Sequence, residues 1–472
     1  MNIEFKNIES VYFLGIGGIG MSALARYFKR MGKEVAGYDK TQTPLTQELE
    51  NEGVSIHYME DIQLLPMKFQ ELADLSKLLI VHTPAVPTDH SEYVYLKNKG
   101  VNIIKRAKAL GIIAEQFNTI AVAGTHGKTT TSSIVTHLMK SANLDCAAFL
   151  GGITKNYNTN ILFPNEYVTS PLQKPYMVVE ADEYDKSFLT LFPQISVITS
   201  MDPDHLDIYG TEQNMVNSYL QFVSQTNKDG VVIVNEKLKH FFTDSNQKVI
   251  TYGMSGKADV TLVNSAITGI YHTYSVKTPN GVIKDITLGI PGFHNVENSL
   301  VAIAVAHLLK ISEADIRKGL QSFKGVKRRF DVQFESEEVT YIDDYAHHPE
   351  EINAFVKSVK SIFPTKQITG IFQPHLYSRT RDFVDGFAES LSLLDEVVLL
   401  DIYPAREQPM EGVTSDWLLS KINCKEKSIV SKNNLIDILR ISKPEVLLTI
   451  GAGDIDTLVA PIREMLESRS GS

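Results

Sequence analysis

Residues 123–131 read Ala-Gly-Thr-His-Gly-Lys-Thr-Thr-Thr, and their types and spacing imply phosphate chemistry. The apolar run Thr119–Gly124 precedes them, and a helical pattern follows. Glycines let successive N–H groups face one anion, and a helix start adds its positive end. Gly124, Thr125, His126, Gly127, Lys128, Thr129 and Thr130 are therefore expected to cradle the polyphosphate of ATP. Lys128 would reach the terminal phosphates, and the Thr129 hydroxyl would ligate Mg²⁺. The pattern is shorter than the usual eight-residue form, because Val122 stands where its first glycine would be. The competing reading is a turn with an exposed lysine.

Two further segments place chemistry at strand ends. Glu180 closes the apolar run of YMVVEADE, and His205 follows ISVITSMD. Ligands of parallel sheets bind at the carboxyl ends of strands. A carboxylate and a neutral imidazole near a nucleotide can hold Mg²⁺, which neutralises phosphate charge during transfer. Taken alone, Glu180 reads as a capping or paired surface acid, as do Asp182, Glu183 and Asp185, and His205 reads as a structural histidine.

Gly15, Gly17, Gly18 and Gly20 form a second glycine-rich turn between a strand and a helix. Asp39 lies 19 residues beyond Gly20, near the spacing of an acid that binds a ribose hydroxyl. This fingerprint specifies a diphosphate cradle, which suits a nicotinamide cofactor or a UDP-sugar. An NAD-dependent oxidoreductase is the alternative of a different class. A second phosphate loop in the same chain favours an ATP-driven reaction.

These residues need parallel sheets to position them. Strand patterns alternate with helical ones in three series, starting at Val11, Thr119 and Val339. Residues 249–290 alternate with period two and suggest a small antiparallel insert, followed by a helix at His294–Lys310. With 472 residues, two or three domains are expected. Boundaries fall near 106 and 326. A net charge of −10 argues against nucleic acid as the main partner. The two cysteines, Cys146 and Cys424, form no disulfide framework. The first ten residues lack an apolar signal core, and no run of about 18 apolar residues occurs, so a cytoplasmic protein without a membrane span is expected.

The set FLGIGGIGMSALA, AGTHGKTTTSS, EADEYDKSFL, ITSMDPDHLDIYG, PGFHNVENSLVAIAVA, KRRF, DDYAHHPEEI and FQPHLYSRTRDF spans residues 13 to about 385. Together these segments resemble the Mur ligases of peptidoglycan synthesis. The resemblance implies an α/β chain of three domains, each with a mainly parallel, helix-covered sheet. Residues 1–106 would be a Rossmann-like UDP-substrate domain, 107–326 a P-loop ATP domain with the small antiparallel insert, and 327–472 a Rossmann-like amino-acid domain. It implies Mg²⁺ on Thr129, Glu180 and His205. It places His294, Asn295 and Asn298 near adenine, Arg328 or Arg329 on ATP phosphates, and Asp343 or Asp344 on the ATP ribose. Tyr345, His347, His348, His375, Arg379 and Arg381 would surround the incoming amino acid. An arginine fork suits its free carboxylate, and His348 is the candidate base for its amine.

The implied reaction is ATP-dependent joining of L-alanine to the carboxylate of UDP-N-acetylmuramate through an acyl phosphate. A sister ligase adding a preformed peptide shares most of these segments. Several relatives use a carbamylated lysine soon after the DHLD segment, but residues 205–227 contain no lysine, which fits the alanine-adding branch. Ala346 replaces a glycine common in the family, and the loop His82–Pro87 lacks the usual serines, which leaves the uridine contacts open. A monomer or homodimer is expected.

Overall fold

The computed structural model describes residues 3–71, 74–164, 174–204, 206–243, 245–405 and 407–470. The chain divides into two compact units, residues 1–261 with 301–319, and residues 262–300 with 320–472.

The first unit contains an all-parallel sheet of β1 (Ser10–Leu14), β2 (Glu34–Tyr38), β3 (Ser55–His57), β4 (Leu78–His82) and β5 (Asn102–Lys105), in the order β3-β2-β1-β4-β5. Every side chain of β1 is buried, as a central strand covered on both faces requires. Its neighbours β2 and β4 lie on opposite sides, so the turn after β1 sits where the strand order reverses. That turn is Gly15–Gly18, which leads into the helix Ile19–Arg30.

The same unit holds β6 (Asn118–Ala123), β7 (Cys146–Thr154), β8 (Thr159–Leu162), β9 (Tyr176–Glu180), β10 (Ile195–Ile198), β11 (Val231–Asn235) and β12 (Lys248–Gly253). Their order is β12-β11-β10-β6-β9-β7-β8, and among them β7–β8 pair antiparallel. Here β6 is flanked by β9 and β10, so the loop after β6 occupies a second reversal point. It runs into the helix Lys128–Ser141, whose residues Thr129 to Met139 are all buried. One apolar core joins the two sheets: Val11, Phe13 and Leu24 belong to the same cluster as Phe149, Val179 and Tyr219.

Residues 249–290 depart in part from the expected insert. Strand β12 pairs parallel with β11 and belongs to the main sheet. Three strands follow it, β13 (Val260–Thr268), β14 (Tyr271–Thr278) and β15 (Gly281–Thr287), and β14 pairs antiparallel with β15. The expected helix is present at Phe293–Leu308.

The second unit carries β16 (Asp331–Glu335), β17 (Thr340–Asp344), β18 (Ile368–Phe372), β19 (Glu396–Leu399), β20 (Glu426–Ile429) and β21 (Val446–Ile450), ordered β16-β17-β21-β18-β19-β20. All pairings are parallel except β16–β17 at the edge. The helix Pro349–Ile362 covers this sheet with Ile352, Phe355, Val356, Val359 and Ile362 buried, spacing that forms one stripe. Burying each such side chain contributes about 1.5–3 kcal/mol. Proline in its first turn and the acids Glu350 and Glu351 suit a helix start. No helix among the described residues is long and apolar enough to cross a membrane.

Candidate functional site

The loop after β6 requires glycine twice. Gly124 has φ +136°, and a Cβ there would stand 2.0 Å from Thr199 Oγ1. Gly127 has φ +78° and is the N-cap of the following helix. The loop is propped by residues after β10. Ser200 Oγ accepts the His126 N–H at 2.8 Å and bonds Thr125 Oγ1 at 2.8 Å, while Thr199 Oγ1 donates to the His126 carbonyl. Val122 is an interior residue of β6 in register with Glu180 of β9. A glycine there would weaken the strand rather than shape the loop.

Lys128 lies along the loop. Its Nζ donates to the carbonyl of Gly124 at 2.6 Å and to Glu183 at 2.9 Å. Burial pulls the ammonium down, but the Glu183 carboxylate, with Glu180 and Asp182, outweighs burial and holds it above the ordinary lysine range. Glu183 is only 2% exposed, which contradicts its reading as a surface acid. Glu180 ends β9 beside the loop and accepts the Gly151 N–H at 3.0 Å. Thr129 is buried at the start of the helix. A hydroxyl and a carboxylate are hard oxygen donors, and the negative field felt by Lys128 suits a divalent cation, so these residues fit Mg²⁺. His205 lies outside the described residues.

In the first sheet, Asp39 follows β2 and its Oδ2 accepts the Gly17 N–H at 2.7 Å. Its Oδ1 accepts from Thr41 N at 3.1 Å. The acid expected on a ribose thus rests on the glycine turn itself. Gly20 lies under Arg106, whose Nη1 stands 2.8 Å from where a Cβ would be.

The second unit gathers the remaining candidates. Asn295 donates to the Pro291 carbonyl at 2.7 Å and accepts from Asn298, fixing the start of the helix Phe293–Leu308. His294 Nδ1 lies 3.0 Å from Ser358 Oγ, and burial pulls the imidazole down to about 4. Arg328 donates to Asp343 at 3.2 Å and to the Gly451 carbonyl at 2.6 Å. Asp343 also accepts from Thr449 at 2.6 Å and is fully buried. Asp344 accepts the backbone N–H groups of Phe330 and Ala346 at 2.6 and 2.8 Å. Both acids therefore tie β17 to its surroundings.

Tyr345 lies beneath the two guanidinium groups of Arg328 and Arg329, 5.2 and 4.9 Å from its ring centre. Its own ring centre is 5.2 Å from that of His347, which is 6.4 Å from that of His375. The peptide N–H of His347 donates to Glu351 at 3.0 Å, and Glu351 also faces Arg329 at 3.9 Å. Burial lowers His347 well below the ordinary histidine range, and the charge of Arg379 acts in the same direction. Arg381 is half exposed and pairs with Asp382 at 2.7 Å. His348 caps the helix Pro349–Ile362 by accepting the Glu350 N–H, and its ring packs on Phe383.

Residues 10–118 match the family model described as Mur ligase family, catalytic domain, 122–306 the Mur ligase middle domain, and 328–453 the Mur ligase, glutamate ligase domain. The UDP-N-acetylmuramate–L-alanine ligase of Flavobacterium johnsoniae is 46% identical over 465 residues, covering 98% of this chain and 99% of that protein. The protein of the same name from Porphyromonas gingivalis is 45% identical over 474 residues, 98% and 100% of the two chains. The crystal structure of the UDP-N-acetylmuramate-alanine ligase from Thermotoga maritima is similar, with a TM-score of 0.82 at 28% identity, covering 98% and 99%. A murein peptide ligase from Psychrobacter arcticus shares the fold, with a TM-score of 0.72 at 21% identity over 97% and 98%.

Proposed function

Because the chain belongs to the Mur ligase family, we propose that it joins L-alanine to the carboxylate of UDP-N-acetylmuramate at the expense of ATP, in peptidoglycan precursor synthesis. The observation that carries this reading is the full-length similarity, 46% over 98% of the chain, to a ligase named for that reaction. Two glycine cradles at two strand-order reversals support it, one for a UDP diphosphate and one for a triphosphate. We divide the chain functionally at 106 and 326.

In this reading the triphosphate lies against the amides of Gly124–Thr130, and Lys128 exchanges Glu183 for phosphate oxygens. Thr129, Glu180 and His205 would hold Mg²⁺, which supplies charge neutralisation at the transferring phosphoryl group. The sugar carboxylate attacks the γ-phosphorus and ADP leaves, giving an acyl phosphate. The alanine amine then attacks the acyl carbon, and inorganic phosphate departs from the tetrahedral intermediate. Lys128 stabilises charge in the first step. Tyr345, His347 and His375, with Arg379, surround the amino acid. Because His348 Nδ1 accepts the Glu350 N–H, the neutral ring carries its proton on Nε2, so in this reading His348 takes up the amine proton at Nδ1 after releasing the helix start. His294, Asn295 and Asn298 hold adenine, and the Arg328–Asp343 and Arg329–Glu351 pairs frame the phosphates and ribose.

The test is phosphate release from ATP with UDP-N-acetylmuramate and a panel of acceptors. L-Alanine should be consumed. Consumption of a preformed tripeptide in its place would assign the chain to the peptide-adding branch. Nicotinamide absorbance changes without phosphate release would overturn the ligase reading.

A further inference from the structure

A cavity in the first unit lies between Gly20, at the end of the first glycine turn, and Glu180, at the end of β9. Gly20, Arg106, Phe149, Gly151, Glu180 and Asp182 line it, and its free volume is about 120 Å³. That is several times the ~30 Å³ share of one water, enough for a carboxylate and its substituents. Gly20 is the last glycine of the first cradle, and Glu180 stands beside the phosphate loop. In the reading proposed above, a group tethered to a diphosphate at the first turn and directed at the phosphate loop would pass through this space.

The far wall is acidic. Glu180 and Asp182 both line the cavity, and in the proposed reading a triphosphate would add further negative charge. A carboxylate brought there needs a compensating cation. Among the described residues lining the cavity, Arg106 is the sole cation. It opens the helix Arg106–Ala114, and its Nη2 donates to Asp182 Oδ2 at 2.8 Å. Asp182 is itself held by the Tyr184 N–H at 3.0 Å, so the guanidinium is anchored from behind. Its Nη1 and Cδ lie over Gly20, in space that a Cβ would fill.

Resting on the function proposed above, we propose that Arg106 binds the attacking carboxylate of the sugar nucleotide and selects for its presence. A planar guanidinium can keep one edge on Asp182 and offer another to the substrate. Arg106 then does two things for the reaction: it offsets repulsion between carboxylate and phosphate, and it fixes the carboxylate near the phosphorus.

The test compares binding of UDP-N-acetylmuramate with that of UDP-N-acetylglucosamine, the same sugar nucleotide without the carboxylate-bearing ether, by calorimetry on wild type and Arg106→Gln. Wild-type turnover with L-alanine is measured first, and its absence would sink the proposed function rather than the arginine assignment alone. Arg106→Gln should weaken UDP-N-acetylmuramate by about 10- to 100-fold, the range of a charge-assisted hydrogen bond. Binding of UDP-N-acetylglucosamine should change less than about threefold, which also reports an intact first cradle. Arg106→Lys should restore part of the lost selectivity. Equal losses for both ligands would place Arg106 on the diphosphate or in the fold, and unchanged binding of both would remove it from recognition. Either result overturns the proposal.

Discussion

Lys128 Nζ lies 2.9 Å from the Glu183 carboxylate, inside the loop whose amides face the proposed triphosphate. Burial of the pair works against the ammonium, but the Glu183 carboxylate outweighs it, holds the lysine above its ordinary range and orients it. A triphosphate reaching Lys128 competes with Glu183 and with the Gly124 carbonyl.

Replacing Lys128 by Ala should therefore remove ligation while the fold persists. Loss of a charge that stabilises a transferring phosphoryl group costs on the order of 100-fold or more in kcat. Phosphate release reads the loss, and circular dichroism reads the fold. Activity within about threefold of wild type would exclude the assigned role.

Gly124→Ala should damage the loop itself. Its φ is +136°, and the added Cβ would meet Thr199 Oγ1 and the Ser200 amide. Backbone strain of this kind costs on the order of 1–3 kcal/mol. Thermal unfolding should shift down by a few degrees, and ATP affinity should drop together with it. An unchanged midpoint would show that the loop adapts.

The two arginines near the proposed amino-acid site should behave differently. Arg379 acts electrostatically on buried His347, whereas Arg381 is half exposed and paired with Asp382. Arg379→Lys should raise the KM for L-alanine by roughly 10-fold, because a lysine cannot present a fork. Arg381→Ala should change it less than about threefold. The reverse ranking in alanine titrations would exchange the two roles.

Stability should respond to pH through Asp344. Burial pushes this carboxyl up to about 7, although Arg329 and the amides of Phe330 and Ala346 pull the other way. Below the unfolded value, near 3.8, the group is protonated in both states and its contribution is complete. As pH rises from about 4 to 7 the unfolded chain releases its proton first, and stability falls by at most about 4 kcal/mol. Urea midpoints of wild type should decline faster over this window than those of Asp344→Asn. Parallel curves would show that Asp344 is ionised throughout.

Both glycine cradles were readable from sequence because anion binding at a strand–helix turn demands particular residues at fixed spacing. The strand β17 was readable as the start of the third alternating series. Glu183 was not, because its burial depends on Lys128 folding back across 55 residues of chain. Ser200 and Thr199 carry no local signal either, since they act on a loop more than 70 residues away. The antiparallel edge strand β16, DVQFE, does alternate polar and apolar residues, but with only two apolar positions in five residues the pattern is too short to stand out. Period two in residues 249–253 could not reveal that β12 joins a parallel sheet, because pairing direction is set by the neighbour β11. Arg106 lay hidden for a similar reason: its meaning comes from Asp182 and Gly20, which sequence separates widely.

If the first glycine turn holds the diphosphate as proposed, the bond from Gly17 N–H to Asp39 would make it selective. An anion that takes this amide displaces a carboxylate already seated on it, so a single phosphate or sulfate trades one acceptor for another and gains little. A diphosphate covers several amides at once and the helix start as well, and so outbids the resident acid. Free phosphate, released at every turnover, should then be a poor competitor for UDP, and inhibition of UDP binding by millimolar phosphate would contradict this. The chain would thus use one of its own acids to keep its product out of its substrate's place.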